Sequence, residues 1–219
     1  MTSVPSIKAI ETIYPWPDGT RFRSRLEARW AIVLDRLDIS WQYEAQGYEF
    51  DGTRYLPDFY LPDWDMYIEV KGTYPQFADV LKATLFAYHR QRPVLVCHSP
   101  LKELWPMYLL HGDKDPVGTR QIESVPAWFI DCPLCRDLAM LTVYPKGPGM
   151  DLIAETDFLG HGIFYSSHPP TERCIGANIK IKRPRWPVVM TERIAKAYAA
   201  GVQAQFEYGK TPKAIKRKR

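Results

Sequence analysis

Two short runs separated by a four-residue turn constrain this chain more than any other stretch. Residues 54–61 (RYLPDFYL) and 66–70 (MYIEV) are rich in aromatic and β-branched side chains, the composition of strands. Pro62-Asp63-Trp64-Asp65 lies between them, with Pro and Asp where turns want them. A turn centred between Asp63 and Trp64 makes the numbers of cross-strand partners sum to 127, which places Asp58 opposite Glu69. Directly opposed residues of an antiparallel pair have Cβ atoms about 5 Å apart. Two carboxylates so placed repel one another unless a cation lies between them. Glu69 and Lys71 share a strand face about 7 Å apart, with Val70 on the opposite face. Gly72 then lets the chain turn away.

The flanking sequence extends this hairpin. Asp51-Gly52 is a hairpin signal and pairs residues 41–50 with the Asp58 strand, giving an expected three-strand meander. Upstream, residues 22–37 carry Leu26, Trp30, Val33, Leu34 and Leu37 at helical spacing, with Glu27 on the edge of the stripe. Ser24-x-x-Glu27 is also a capping box. Glu27 therefore has two compatible roles open to it, closing the first helical turn and joining the acids of the hairpin. Downstream, residues 77–91 read as a helix and Val94-Leu95-Val96-Cys97 as a short buried strand. A lone Glu-x-Lys on a strand is common on solvated faces; the helix glutamate, hairpin aspartate and Glu-x-Lys-Gly in one order are not.

The order Ser24–Glu27, Pro57-Asp58, Glu69-Val70-Lys71-Gly72 resembles the PD-(D/E)XK nuclease superfamily, in the flavour of phage endonuclease I-type Holliday-junction resolvases and transposon end-cleaving endonucleases. The likeness covers about residues 22 to 100. It implies an α/β (α+β mixed-sheet) fold with an αβββαβ restriction-endonuclease-like core and a C-terminal elaboration. It further implies Mg²⁺-dependent hydrolysis of DNA, Mn²⁺ being a substitute, in phage or mobile-element recombination on branched or structured DNA. By the resemblance Asp58 and Glu69 are metal ligands with the carbonyl of Val70, Glu27 completes or supports the site, and Lys71 orients water or stabilises the transition state. A second copy of the chain, or a recombination or replication protein, is the further partner it allows. A non-catalytic nucleic-acid-binding module on the same scaffold is the alternative. The chemistry is consistent with the name: a bound divalent cation generates a nucleophile from water and offsets charge on phosphate oxygens.

The rest of the chain is expected to divide into a core (1–110), a small cysteine-containing region (111–190) and a terminal helix with a basic tail (191–219). Residues 111–126, rich in Gly, Asp and Pro, read as a loop separating the first two. Cys132-Pro133-Leu134-Cys135 has zinc-knuckle spacing, with Cys174 and His168 or His161 to complete four ligands. No second CxxC exists, and two ordinary reduced thiols are the preferred reading over zinc. The last ten residues include Lys216, Arg217, Lys218 and Arg219; they hold six of the 29 basic residues and no acid, so a net charge of +4 becomes −2 without them. Such a tail suits phosphate contacts, a solubilising terminus being the plainer reading. Lys180, Lys182, Arg183 and Arg185 beside Trp186 form a second basic run, either flanking nucleic acid or a solvated strand. Residues 191–208 read as an alanine-rich helix whose Ile194, Tyr198, Val202 and Phe206 face the core or a second subunit. Without a long apolar run or signal-like N-terminus, a cytoplasmic protein with no membrane partner is expected.

Overall fold

A computed structural model of the protein describes residues 19–99, 101, 107–114, 120–131, 138–142, 165–166 and 191–204. The chain runs α1 (Arg25–Arg36), β1 (Gln42–Tyr43), β2 (Tyr48–Phe50), β3 (Thr53–Tyr55), β4 (Phe59–Leu61), β5 (Met66–Lys71), α2 (Phe77–Arg90), β6 (Val94–His98), β7 (Met107–Lys114), β8 (Arg120–Asp131), β9 (Leu138–Thr142), β10 (Tyr165–Ser166) and α3 (Glu192–Gln203). An eight-stranded mixed sheet has the order β1-β4-β5-β6-β7-β8-β9-β10, and β2-β3 form a separate two-stranded sheet. The expected α+β mixed sheet is therefore present, with α1, β1, β4, β5, α2 and β6 in αβββαβ order once the β2–β3 hairpin inserted between β1 and β4 is set aside. The pair β5–β6 is parallel, every other pair antiparallel, and α2 supplies the long crossover that a parallel pair needs.

The register of the central hairpin follows the turn. Phe59 pairs with Ile68, Tyr60 with Tyr67 and Leu61 with Met66, all summing to 127. The strand before it differs from expectation. Residues 54–61 are two strands rather than one, broken at Leu56-Pro57-Asp58, because Pro57 has no N–H to give to a ladder. Residues 41–50 divide likewise: β1 pairs with β4 in the main sheet, whereas β2 turns back on β3. Between β1 and β2 Glu44 has φ +43°, a left-handed residue that breaks the strand. At the β2–β3 turn Asp51 and Gly52 have φ +47° and +71°, the positive pair a tight hairpin requires. The meander is thus a two-stranded hairpin standing beside the main sheet.

Alternation along the strands makes two unlike faces. Ile68, Leu95, Cys97, Leu109, Phe129 and Met140 pack with α1 and α3 on one side. Tyr67, Val94, Val96 and Leu110 pack with Phe86 of α2 and with Phe50 and Tyr55 of the β2–β3 hairpin on the other. Buried on both faces, β6 carries an unbroken apolar start.

Of the expected loop at 111–126, residues 111–114 and 120–126 are instead strand: β7 and β8 pair from Met107↔Ala127 to Lys114↔Arg120. Gly112 and Asp113 sit near the far end of that ladder, where their turn-like composition masks the pairing. The sheet thus runs on past residue 110 without a break. Helix α3, capped by Thr191 accepting from the Ile194 amide at 3.4 Å, joins the same core. Its Ile194 and Tyr198 are buried, Tyr198 edge-on to Trp30 at 5.7 Å. A Cβ on Gly201 would meet Val33 at 2.8 Å and the Arg29 carbonyl at 2.9 Å, so only glycine lets the two helices approach this closely.

Candidate active site

The acids gather where β4 begins and β5 ends, against the start of α1. Ser24 caps that helix, its hydroxyl accepting from the Glu27 amide at 3.1 Å. The carboxylate of Glu27 does not close the box on Ser24. Its Oε2 accepts from the Arg23 amide at 3.1 Å and from the Tyr43 hydroxyl at 2.5 Å. Glu27 thus finishes the helix start and anchors β1, and it is buried in doing so. Tyr43's phenol is pushed up by its own burial and by the Glu27 carboxylate that it donates to, which keeps it protonated.

Asp58 follows the proline break and is 5 % exposed. One oxygen, Oδ2, accepts from the Val70 amide at 2.7 Å; the other, Oδ1, accepts from Arg23 Nη2 at 3.2 Å. Arg23 is shared with Glu44 at 2.5 Å. Burial, with repulsion from Glu69 and more weakly from Glu27, pushes the Asp58 carboxyl up to about 8 against the Val70 amide and Arg23. The upward shift records two carboxylates held together in a dry place.

Glu69 projects from β5 on the α2 face. Tyr55 donates to its Oε2 at 2.9 Å, and Lys71 Nζ lies 2.8 Å from its Oε1. Burial alone would lower the Lys71 ammonium, but Glu69 and Asp79 outweigh it, and the net shift is upward. Asp79, 3.1 Å from Lys71, also accepts from the Gln76 amide at the start of α2. Lys71 is therefore held charged between a strand acid and a helix acid.

Glu69, Lys71 and Asp79 open onto a cleft of about 620 Å³ whose opposite wall is the β2–β3 hairpin. The structure brings Glu27, Asp58, Glu69, Val70 and Lys71 into one neighbourhood, as expected. It adds Arg23, Tyr43, Tyr55 and Asp79, which sequence reasoning missed. A signal for the tyrosines existed, since a tyrosine in place of phenylalanine at a buried position must find a partner for its hydroxyl.

Among the described residues no three His, Cys, Asp or Glu side chains form a group that holds an ion. The carboxylates that could hold one are the pair Asp58 and Glu69, with Glu27 committed to Tyr43 and the Arg23 amide. That pair suits Mg²⁺, which is commonly bound through one or two carboxylates and otherwise by water and substrate phosphate. Each of the four oxygens has one protein partner and a lone pair to spare. Cys132, Cys135, Cys174 and His168, offered for Zn²⁺, lie outside the described residues, as do Lys180, Lys182, Arg183 and Arg185 and the tail Lys216, Arg217, Lys218 and Arg219. No helix among the described residues is long and apolar enough to cross a membrane. The chain matches no family model, no curated protein and no solved structure.

Proposed function

We propose that the chain is a Mg²⁺-dependent endonuclease that hydrolyses DNA phosphodiester bonds, a PD-(D/E)XK-type enzyme acting on branched or structured DNA. The observation that carries this reading is the buried Asp58–Glu69 pair beside the charged Lys71 at the mouth of a cleft. Two such carboxylates repel one another as anions until a cation arrives, so the pair is an expensive arrangement for a fold to keep without one.

Asp58 and Glu69 would hold the ion; Glu27 supports them through the helix start and Tyr43. Bound there, Mg²⁺ supplies a water nucleophile near neutral pH and charge for the phosphate oxygens. Lys71 stays protonated, and its ammonium sits beside Glu69, where negative charge grows on the phosphate during attack. Tyr55 fixes the Glu69 carboxylate by donating to one oxygen and leaving the other to face Lys71. The Val70 amide and Arg23 do the same for Asp58. A phosphodiester in the cleft then meets fixed dipoles in place of water.

One observation favours a second reading, a non-catalytic nucleic-acid-binding module. Arg23 and Lys71 already neutralise Asp58 and Glu69 within the chain. Incubation of the full chain with linear, nicked, flapped and four-way DNA separates the two. Cutting in Mg²⁺ or Mn²⁺ that stops with chelator and in Lys71→Ala, while DNA binding persists, supports the enzyme. Binding without cutting on every substrate supports the module. The cytoplasm, where thiols stay reduced, is the compartment proposed for either.

A further inference from the structure

The wall of the cleft away from the carboxylates has chemistry that the reaction itself does not use. Arg54 and Lys82 stand on it, from β3 and α2, with Gly47 just before the β2–β3 hairpin and Leu56 just after it. Arg54 has 89 % of its side chain exposed, and its one acid partner among the described residues, Glu49 at 3.5 Å, is 63 % exposed. Such a loose pair in water contributes little and yields readily to a phosphate. Lys82 makes no ion pair among the described residues; its ammonium lies 5.6 Å over the Tyr55 ring. Leu56 is the one exposed large apolar side chain of the described residues that lines this cleft.

The wall is also preformed. Tyr48 and Tyr55 hold Phe86 of α2 at 4.9 and 4.6 Å between ring centroids, and Arg90 caps the Tyr48 ring at 4.8 Å. A hairpin pinned in this way presents its cations with little ordering cost on binding. The cleft's 620 Å³ is the size of a pocket that encloses a drug-sized molecule. A double helix rests on a broad face; a single strand threads into a groove and is held by backbone charge and flat apolar contact.

We propose that this cleft receives an unpaired stretch of DNA strand next to the bond to be cut, with Arg54 and Lys82 on its phosphates and Leu56 against a sugar or base. The proposal rests on the nuclease reading and names its substrate: DNA that offers a flap, fork or melted end beside the duplex.

The test is fluorescence anisotropy of the full chain in chelator, where nothing is cut. Its probes are a labelled single strand of about a dozen nucleotides, within the length that single-strand grooves accept, a blunt duplex, and a duplex ending in that single strand. The wild type binds the overhang substrate more tightly than the blunt duplex. The double variant Arg54→Ala/Lys82→Ala loses about tenfold on the single strand and overhang, and its salt slope falls by about 1.4, about 0.7 for each phosphate contact removed. Gly47→Trp gives the same loss with no change of charge. It is expected to fold, because a Cβ at Gly47 meets nothing within 4 Å. Equal binding of blunt and overhang substrates, or single-strand binding untouched in the double variant, overturns the proposal. Should the wild type fail to cut in Mg²⁺ while these losses appear, the strand site stands and the hydrolase reading falls; cutting with no such losses leaves the hydrolase and removes the strand site.

Discussion

The two faces of the central sheet are built for different tasks. Against α1 and α3 the contacts are apolar and close, aliphatic side chains mixed with the rings of Trp30, Phe59 and Phe129, down to a glycine at the helix crossing that no larger residue replaces without a clash. Against α2 and the β2–β3 hairpin they are aromatic, with hydroxyls and cations threaded among the rings. Carboxylates occur where the two meet, at the start of β4 and the end of β5. The first face supplies cohesion. The second holds Glu69 and Lys71 in place through Tyr55 and Asp79. Mutations on the two faces should therefore separate stability from activity.

The largest effect is expected from removing Lys71, Asp58 or Glu69 as alanine variants. Cleavage rates should fall by about 10²–10³-fold or more, as when a charge-stabilising group leaves an active site, with a cooperative fold retained. Thermal melts beside gel-based cleavage rates check this, and full activity in any of the three breaks the assignment.

Next is Tyr55→Phe, which keeps the ring in its aromatic cluster and removes only the donor to Glu69. A loss of about 10–100-fold in rate or metal affinity is expected, the range for groups that orient a metal ligand. An unchanged rate would make the hydroxyl a packing feature. On the opposite face, Gly201→Ala should cost about 1–3 kcal/mol of stability from overpacking against Val33 and the Arg29 carbonyl. Denaturant titration measures it, and the cleavage rate of the folded fraction should not move.

The last effect is a pH dependence of the metal-free fold. Asp58 carries a proton up to about 8 in the metal-free fold, against an ordinary value of 3.8 in the unfolded chain. The folded state then holds the extra proton, so this group's stability contribution is complete below about 4 and is lost as the pH rises toward about 8. Metal-free melting temperatures should decline across that window, and Asp58→Asn should flatten the decline. A wild-type curve as flat as the variant's contradicts the buried-pair picture.

The comparison also shows what a sequence can and cannot disclose. Turn chemistry was legible: the Asp63–Trp64 centre set the β4–β5 register, and Asp51-Gly52 marked its hairpin. The helices were legible from their stripes, α1 beginning at its Ser24 cap three residues later than the pattern suggested. Pairing at a distance was not. Nothing local tells that β1 leaves β2 to join β4, or that a Gly- and Asp-bearing stretch continues as β7 and β8, because those choices depend on which edge is free in the folded sheet. Of the site, the acids and lysine were visible through their spacing. Arg23, Tyr43, Tyr55 and Asp79 reach it from other elements, and their sequence signature is that of ordinary core and surface residues.

Isothermal titration calorimetry of Mg²⁺ or Mn²⁺ into the full chain, wild type beside Asp58→Asn and Glu69→Gln, tests the carboxylate pair most directly. The account predicts a saturable binding event in the wild type that both variants lose, with proton release on binding below about pH 8 as Asp58 ionises. No binding in the wild type, or the same event in all three proteins, would contradict it.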